Sequence, residues 1–445
     1  MTRLLLIPAL IGAAVMALTT AGAQMQPAVA APVTAPAAVP EKAEKPFVAQ
    51  VVGLQWLNPL QRRDYPTEWQ ILWAMGLVKP NQNDDMVRTD PKSFSTLQPV
   101  VGIANGNDGE ETFKGFHHKY VTKFFTAFDT RYAVNPRYFY NVADKNGKGW
   151  RELAGLRVEY ALPTAQLEPA EAADYFKKEF VSFFEIGSVY RNGFKPWTRN
   201  LPPDIRITQG GANAGFTSLA AALDYLKAHP KETVWAMSWD APSFPPKDSQ
   251  MNENMVALFL AGPDLDTERE PLAWIGYPAS KPVKEFETKR DLPPRAVQAW
   301  KVTIEAAAHN VNKKDTDIGY VIHDAANSSD RLGQLAQTLT TEMPEFDFIK
   351  QTFNTPAVLG EMRAGTALTN VVLAIGYANH FGKSVLVAGT SDAEHPTAVV
   401  VTPPAKPRPI DPAKPWFRAR GDNNAYLPWW GLRRDAQPRE QGFSE

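Results

Sequence analysis

The chain contains no cysteine among its 445 residues. This absence excludes disulfide bonds, thiolate zinc sites, iron–sulfur ligation and a cysteine nucleophile. The sequence also lacks the Gly-x-Ser-x-Gly elbow of serine hydrolases, the His-Glu-x-x-His helix of zinc proteases and the P-loop of nucleotide-binding proteins. The sequence therefore predicts no cofactor and no metal ion.

An excess of positive charge is missing as well. Lysine and arginine together number 47 and aspartate and glutamate 48, which gives a formal net charge of -1. Because binding to phosphate backbones needs a clustered excess of Lys and Arg, a nucleic-acid partner is not predicted. The 44% content of hydrophobic residues is enough to bury a large core.

The N-terminus carries an apolar run. Residues 4–23 have no charge and follow Arg3, and small residues precede Gln24. Residues 1–23 are therefore predicted to be either a secretory signal peptide or a membrane anchor. The two alternatives place the chain in the periplasm or at the inner membrane, unless an anchor leaves the body on the cytoplasmic side. Residues 24–46 form an Ala/Pro-rich linker.

The stretch at residues 207–216 leads into the most regular pattern of the sequence. Its small residues are followed by apolar positions with helical spacing at Phe216, Leu219, Ala220, Leu223 and Leu226. A buried strand is predicted at residues 233–237, before Asp240.

The same pattern returns 152 residues later. Under this single shift Tyr225 corresponds to Tyr377, Ala236 to Ala388 and Asp240 to Asp392. Matching periodicity and matching residues indicate an internal duplication. Each copy also ends in a further strand, predicted at residues 255–260 and 397–401.

Strands and helices alternate along the rest of the chain, which predicts an α/β fold with a largely parallel sheet. Further strands are expected at residues 47–54, 99–104 and 318–322, and helices at residues 68–76, 171–184, 294–310 and 331–341. The aromatic-rich stretch at residues 113–150 is interpreted as a helical insertion packed on the sheet, rather than as a platform for nucleic-acid bases. Within it, the pair His117–His118 is expected on a solvated surface, not at a metal site.

The turn Gly211-Ala212-Asn213-Ala214-Gly215 resembles the Ala-Cys-x-x-Gly turn of the thiolase and ketoacyl synthase superfamily. The resemblance implies a thiolase-like duplicated fold of two related βαβαβαββ halves, with the aromatic-rich insertion in the first. It also implies that Ala212 occupies the position of the nucleophilic cysteine.

Two further segments are similar to the superfamily's catalytic loops. His323 with the following Asp324 resembles the His-Gly-Thr-Gly-Thr loop, and Gly360-Glu361 resembles a Gly-His turn. Ala212, His323 and Glu361 are thus expected to be degenerate thiolase positions. Because condensation needs a thiolate and donors for the oxyanion, the resemblance implies a pseudoenzyme.

The arrangement is also similar to that of a bacterial family of adapters for type VI secretion lipase effectors, through phrases at residues 235–240 and 360–365. That family implies a phospholipase effector and the secretion spike as partners, and the superfamily implies a homodimer. The expected domains are an N-terminal half at 47–265, a C-terminal half at 266–402 and a Pro/Trp-rich tail at 403–445. The alternative is an exported enzyme with His323 and Glu361 as acid and base, or an acyl-ligand-binding protein.

Overall fold

The computed structural model describes a large part of the chain after residue 44. The described residues are 45–57, 67–79, 88–90, 112–126, 153, 155–164, 167–184, 186–187, 200–241, 252–267, 270–326 and 329–409. The N-terminal apolar segment, the predicted strand at 99–104, residues 127–150 and the tail beyond residue 409 lie outside them. None of the described helices is both long enough and apolar enough to cross a bilayer.

The first half supplies five strands and four helices to the described structure. They are β1 (Ala49–Leu57), α1 (Thr67–Ala74), α2 (Phe113–Thr126), β2 (Arg157–Pro163), α3 (Pro169–Phe183), β3 (Asp204–Gly210), α4 (Ala214–Ala228), β4 (Thr233–Asp240) and β5 (Asn254–Ala261).

The second half follows the same alternation. Its described elements are β6 (Ala273–Ile275), β7 (Ala279–Ser280), α5 (Arg295–His309), β8 (Ile318–His323), α6 (Asp330–Glu342), β9 (Thr352–Asn354), α7 (Thr355–Leu359), α8 (Thr366–Phe381), β10 (Ser384–Gly389) and β11 (Thr397–Thr402). Helix α8 begins 152 residues after α4, so the predicted duplication is confirmed in register.

The strand order repeats as well. The first half runs β3-β2-β4-β5-β1 and the second half β9-β8-β10-β11-β6, and β1 pairs with β6 to join them. With the short β7 left aside, numbering the strands within each half gives the order 3-2-4-5-1 twice. In both halves the fifth strand is antiparallel to its neighbours. The expectation of a largely parallel sheet was therefore wrong, because the fifth and first strands of each half add antiparallel pairs to a parallel centre. This shared topology confirms the predicted pair of βαβαβαββ halves.

Helices cover both faces of the second half's strands. On β10, Val385 and Val387 pack in the cluster that contains α8, whereas Leu386 and Ala388 pack in the cluster that contains α5 and α6. Successive side chains of a strand point to opposite faces of the sheet. Because helices cover both faces here, both sets of side chains are buried, and the sequence of the strand is a continuous apolar run.

The buried helices α4 and α8 meet at equivalent positions of the duplication. A Cβ atom placed on Gly215 would lie 3.0 Å from the Cβ of Ala367, and the two positions differ by 152 residues. Contact between equivalent positions is expected when an approximate twofold axis passes between two related helices. Glycine at this point lets the helices approach closely.

Helix α2 confirms the helical part of the aromatic stretch, since Phe116, Tyr120, Phe124 and Phe125 are all buried. The prediction of a solvated histidine pair was wrong for His117, which is fully buried. Its Nε2 lies 3.2 Å from the hydroxyl of Tyr160. His117 lies on the buried face of the helix together with its aromatic neighbours. The prediction failed because the number of charged residues in a stretch does not show which face of the helix a given residue occupies.

We expect Gly215→Val to destabilise the fold by about 1–3 kcal/mol, because the added groups overlap Ala367 and Leu368 in a packed interior. Gly333→Val is the matched control. A Cβ at this helical glycine has no neighbour within 4 Å, so its effect should stay within about 0.5 kcal/mol. Denaturant unfolding of both variants measures the difference. Equal stability of the two variants would contradict the close approach of α4 and α8.

Candidate functional site

A cleft of about 420 Å³ opens where the two halves meet. Residues 163–164, 210–212 and Asp240 of the first half line it, together with Arg331, Glu361, Arg363 and Ser391 of the second half. The volume falls in the range of small-molecule sites, about 300–1,000 Å³. The cleft is therefore a shared site of both halves.

Ala212 lies in the turn between β3 and α4, beside the start of the buried helix. Strand β3 ends at Gly210 and the helix begins at Ala214, with Asn213 as its N-cap. The turn therefore covers only residues 211–213, because residues 207–210 of the predicted stretch belong to strand β3. The methyl group of Ala212 provides no nucleophile at this helix N-terminus.

Glu361 lies on the same cleft as Ala212, on the loop that precedes α8. Its Oε1 accepts a hydrogen bond of 3.2 Å from the backbone N–H of Arg363. The carboxylate is exposed and folds back on its own loop. The structure therefore brings Ala212 and Glu361 to one site.

His323 is not among the residues that line the cleft. It ends strand β8, is buried, and its Nδ1 accepts the N–H of Ala325 at 3.3 Å. Its ring lies nearly parallel to that of Phe348, with centroids 6.1 Å apart. Burial lowers the pKa of His323 to about 4, against the opposing charge of Asp324, so the imidazole is neutral near pH 7.

Asp324 holds the next loop in place. Its Oδ1 accepts a bond from the hydroxyl of Thr390 at 2.9 Å, and its Oδ2 accepts one from the hydroxyl of Ser391 at 2.7 Å. The hydroxyl of Ser391, which borders the cleft, is thus bound to a carboxylate rather than to a histidine. This pairing fixes the loop and does not form a serine–histidine nucleophile.

Asp240 is a buried carboxyl of the cleft that the sequence did not single out as a site residue. Burial raises its pKa to about 7, while hydrogen bonds from the N–H groups of Ala364 and Ala241 and the charge of Arg363 oppose the rise. The nearby charge of Glu361 raises it further. The bond from Ala364, 3.1 Å long, ties the second half's loop to the end of β4.

Two asparagines of the first half hold the Glu361 loop from the other side. The backbone N–H of Asn252 donates to the carbonyl of Glu361 at 2.6 Å. The amide of Asn254, which is fully buried, donates to the sulfur of Met362 at 3.1 Å and also to the hydroxyl of Thr369. The loop's position therefore depends on contacts between the halves.

Arg331 and Arg363 supply the positive charges of the cleft. Nη1 of Arg331 donates to the carbonyl oxygens of Thr390 and Ser391, at 3.2 and 2.8 Å. Arg363 has a backbone φ of 41°, a strained region for a residue other than glycine. Neither arginine was predicted as a site residue, because a lone arginine beside a helix carries no distinctive pattern.

Comparison with known proteins finds a matching family model for one segment of the chain and similar folds among solved structures. Residues 272–403 match the family model described as Type VI lipase adapter protein Tla3, C-terminal. This match confirms the predicted resemblance to the adapter family for that segment. No curated protein matches the sequence.

Solved ketosynthases are similar in fold. The ketosynthase from module 6 of the bacillaene synthase of Bacillus subtilis 168 has a TM-score of 0.50 at 10% identity, over 80% of this chain and 70% of that chain. The oxazolomycin ketosynthase domain OzmH KS8 of Streptomyces albus JA3453 has a TM-score of 0.47 at 11% identity, over 84% and 100%. The thiolase-like fold is confirmed, and identities this low carry no statement on activity.

Asp240→Asn tests the burial of the carboxyl. The folded-state pKa near 7 lies above the ordinary 3.8, so the native state holds this proton more tightly than the unfolded chain. The stability that it contributes is complete below about pH 4 and is lost as the pH rises to about 7. We expect the free energy of unfolding of the parent, relative to D240N, to fall over that range by at most about 1.4 kcal/mol per pH unit.

Chemical denaturation of both proteins across the pH series measures this difference. Other groups that titrate alike in the two proteins contribute equally to both free energies of unfolding, so their contribution cancels in the difference. A difference that stays level across the range would contradict the buried placement of Asp240.

Proposed function

We propose that this chain is a non-catalytic adapter that binds a lipase effector of the type VI secretion system. The match of residues 272–403 to the adapter family's C-terminal model carries the proposal. In its finer form, the adapter binds a phospholipase effector and helps to load it on the secretion spike. A homodimer is part of the proposal by analogy with the fold alone.

The composition of the cleft supports a protein without condensing activity. We take Ala212 as the position of the superfamily's nucleophile, and the whole chain has no cysteine. Acyl condensation needs a thiolate at this helix N-terminus and donors for the developing oxyanion. Glu361 places a negative charge on the cleft where a donor is required.

The alternative of an exported enzyme with His323 and Glu361 as acid and base has less geometric support. His323 does not line the cleft on which Glu361 lies. Proton transfer between two groups and one substrate needs both within hydrogen-bond reach of it. Binding of a partner is therefore the function that the arrangement supports best.

Co-purification tests the adapter function. The full-length chain is co-expressed with a type VI secretion phospholipase effector from the same organism, and the mixture is examined by affinity capture and size-exclusion chromatography. We expect one complex that persists at low and high salt, because a stable interface of standard size buries apolar area that salt does not screen. An unrelated lipase is the control. Separate elution of the chain and the effector at every salt concentration would contradict the proposal.

Ala212→Cys tests the pseudoenzyme interpretation. We expect no condensation of acyl thioesters, since the variant restores a thiol but leaves Glu361 on the cleft and His323 outside its lining. Alkylation and mass spectrometry report whether the introduced thiol is accessible, and the cysteine-free background makes the label unambiguous. Measurable condensing activity in this single variant would show that Glu361 is assigned incorrectly to the position of the superfamily's second histidine.

A further inference from the structure

Two guanidinium groups of the cleft have no carboxylate partner among the described residues. Arg331 uses its Nη1 for two backbone carbonyls, and no ion pair is formed by Arg331 or by Arg363 in the part of the chain described. Elsewhere, Arg157 and Arg206 both pair with Asp204, at 2.6 and 2.9 Å. The cleft thus differs from the site around Asp204, because within the described residues neither Arg331 nor Arg363 is compensated by direct contact with a carboxylate.

The carboxylates near these arginines do not neutralise them by direct contact. Glu361 accepts a backbone N–H within its own loop. Asp240 is buried, and its pKa near 7 makes it partly protonated at neutral pH. Two guanidinium charges against the exposed carboxylate of Glu361 and the partly ionised Asp240 leave at most about one positive charge, which suits a ligand group with a single negative charge.

The backbone contributes further donors at the same place. The N–H groups of Ala212 and Asn213 make no backbone hydrogen bond in the described structure. They precede the 15-residue helix α4, whose N-terminus carries a partial positive charge. The two arginines and Ala212 come from opposite halves and line the same cleft.

We propose that the cleft binds a ligand through a single carboxylate group, with Arg331 and Arg363 as the groups that contact it. Guanidinium groups bind carboxylates through paired N–H donors. A doubly charged phosphate is disfavoured, because Glu361 and Asp240 border the same space. The carboxylate belongs to a small organic acid or to the C-terminus of a polypeptide. This proposal is independent of the proposed adapter function.

Titration of the full-length chain with defined probes tests the site. Isothermal titration and thermal shift are measured with hexanoate, with trialanine, with trialanine amide and with inorganic phosphate. We expect saturable binding of the acids, none of the amide and weaker binding of phosphate. Tighter binding of hexanoate identifies a free acid as the ligand type, and tighter binding of trialanine identifies a polypeptide C-terminus.

The arginine variants decide whether the binding is at the cleft. Arg363→Ala should weaken binding by about tenfold to a hundredfold, the effect of one lost charged hydrogen bond. Its side chain makes no hydrogen bond in the described structure, so the fold should persist. Arg331→Lys keeps the positive charge but loses the planar guanidinium with its paired N–H donors. This variant should also bind the carboxylate probes more weakly than the parent.

Arg295→Ala is the matched control, because this exposed arginine begins α5 outside the cleft. It should bind as the parent does. Three results would overturn the proposal: no saturable binding of either acid, equal binding of trialanine and its amide, or binding that Arg363→Ala leaves unchanged. Equal binding of phosphate and the acids would overturn the preference for a single carboxylate.

Discussion

The close approach of α4 and α8 is the constraint on which the rest of the structure depends. Gly215 of one helix faces Ala367 of the other, and these are equivalent positions of the duplication. Small residues at this crossing let the two buried helices lie side by side between their strands. Because each helix starts near the same level, the turn at Ala212 and the loop at Glu361 then border one cleft. A larger residue at the crossing would separate both turns and both halves.

Polar contacts between the halves fix the geometry that this packing creates. Asp240, Asn252 and Asn254 of the first half all bind the loop between Leu359 and Gly365 of the second. The bonds made by Asp240 and Asn254 are buried, so a misplaced loop would leave their polar groups unsatisfied. The duplication is asymmetric here, since Asp392, the counterpart of Asp240, is exposed and lies 3.0 Å from the ring of His395. Of these two equivalent aspartates, only Asp240 lines the cleft.

The sequence predicted the duplicated core because its helices and strands have strong periodicity. The 152-residue shift located α4 and α8 in equivalent positions, and it placed β4 and β10 after them. Strand β2 was not predicted, because Arg157 and Glu159 interrupt its apolar pattern and form an ion pair with each other. Strands β6 and β9 have three residues each, too few for a periodic signal. The domain bounds at residues 265 and 402 stay predictions.

The candidate site was predicted only where it resembled a known motif. Ala212 and Glu361 were found because turns before buried helices are recognisable, whereas Arg331, Arg363 and Asp240 come from three separate elements that only tertiary folding brings together. The alanine at position 212 leaves the positive end of α4 unchanged, since that charge belongs to the helix backbone and not to the side chain at its start. A cleft built on this helix end therefore attracts negative groups whichever side chain stands at position 212. Arg331 and Arg363 at its border add positive charge, so the cleft is physically suited to binding a negatively charged group.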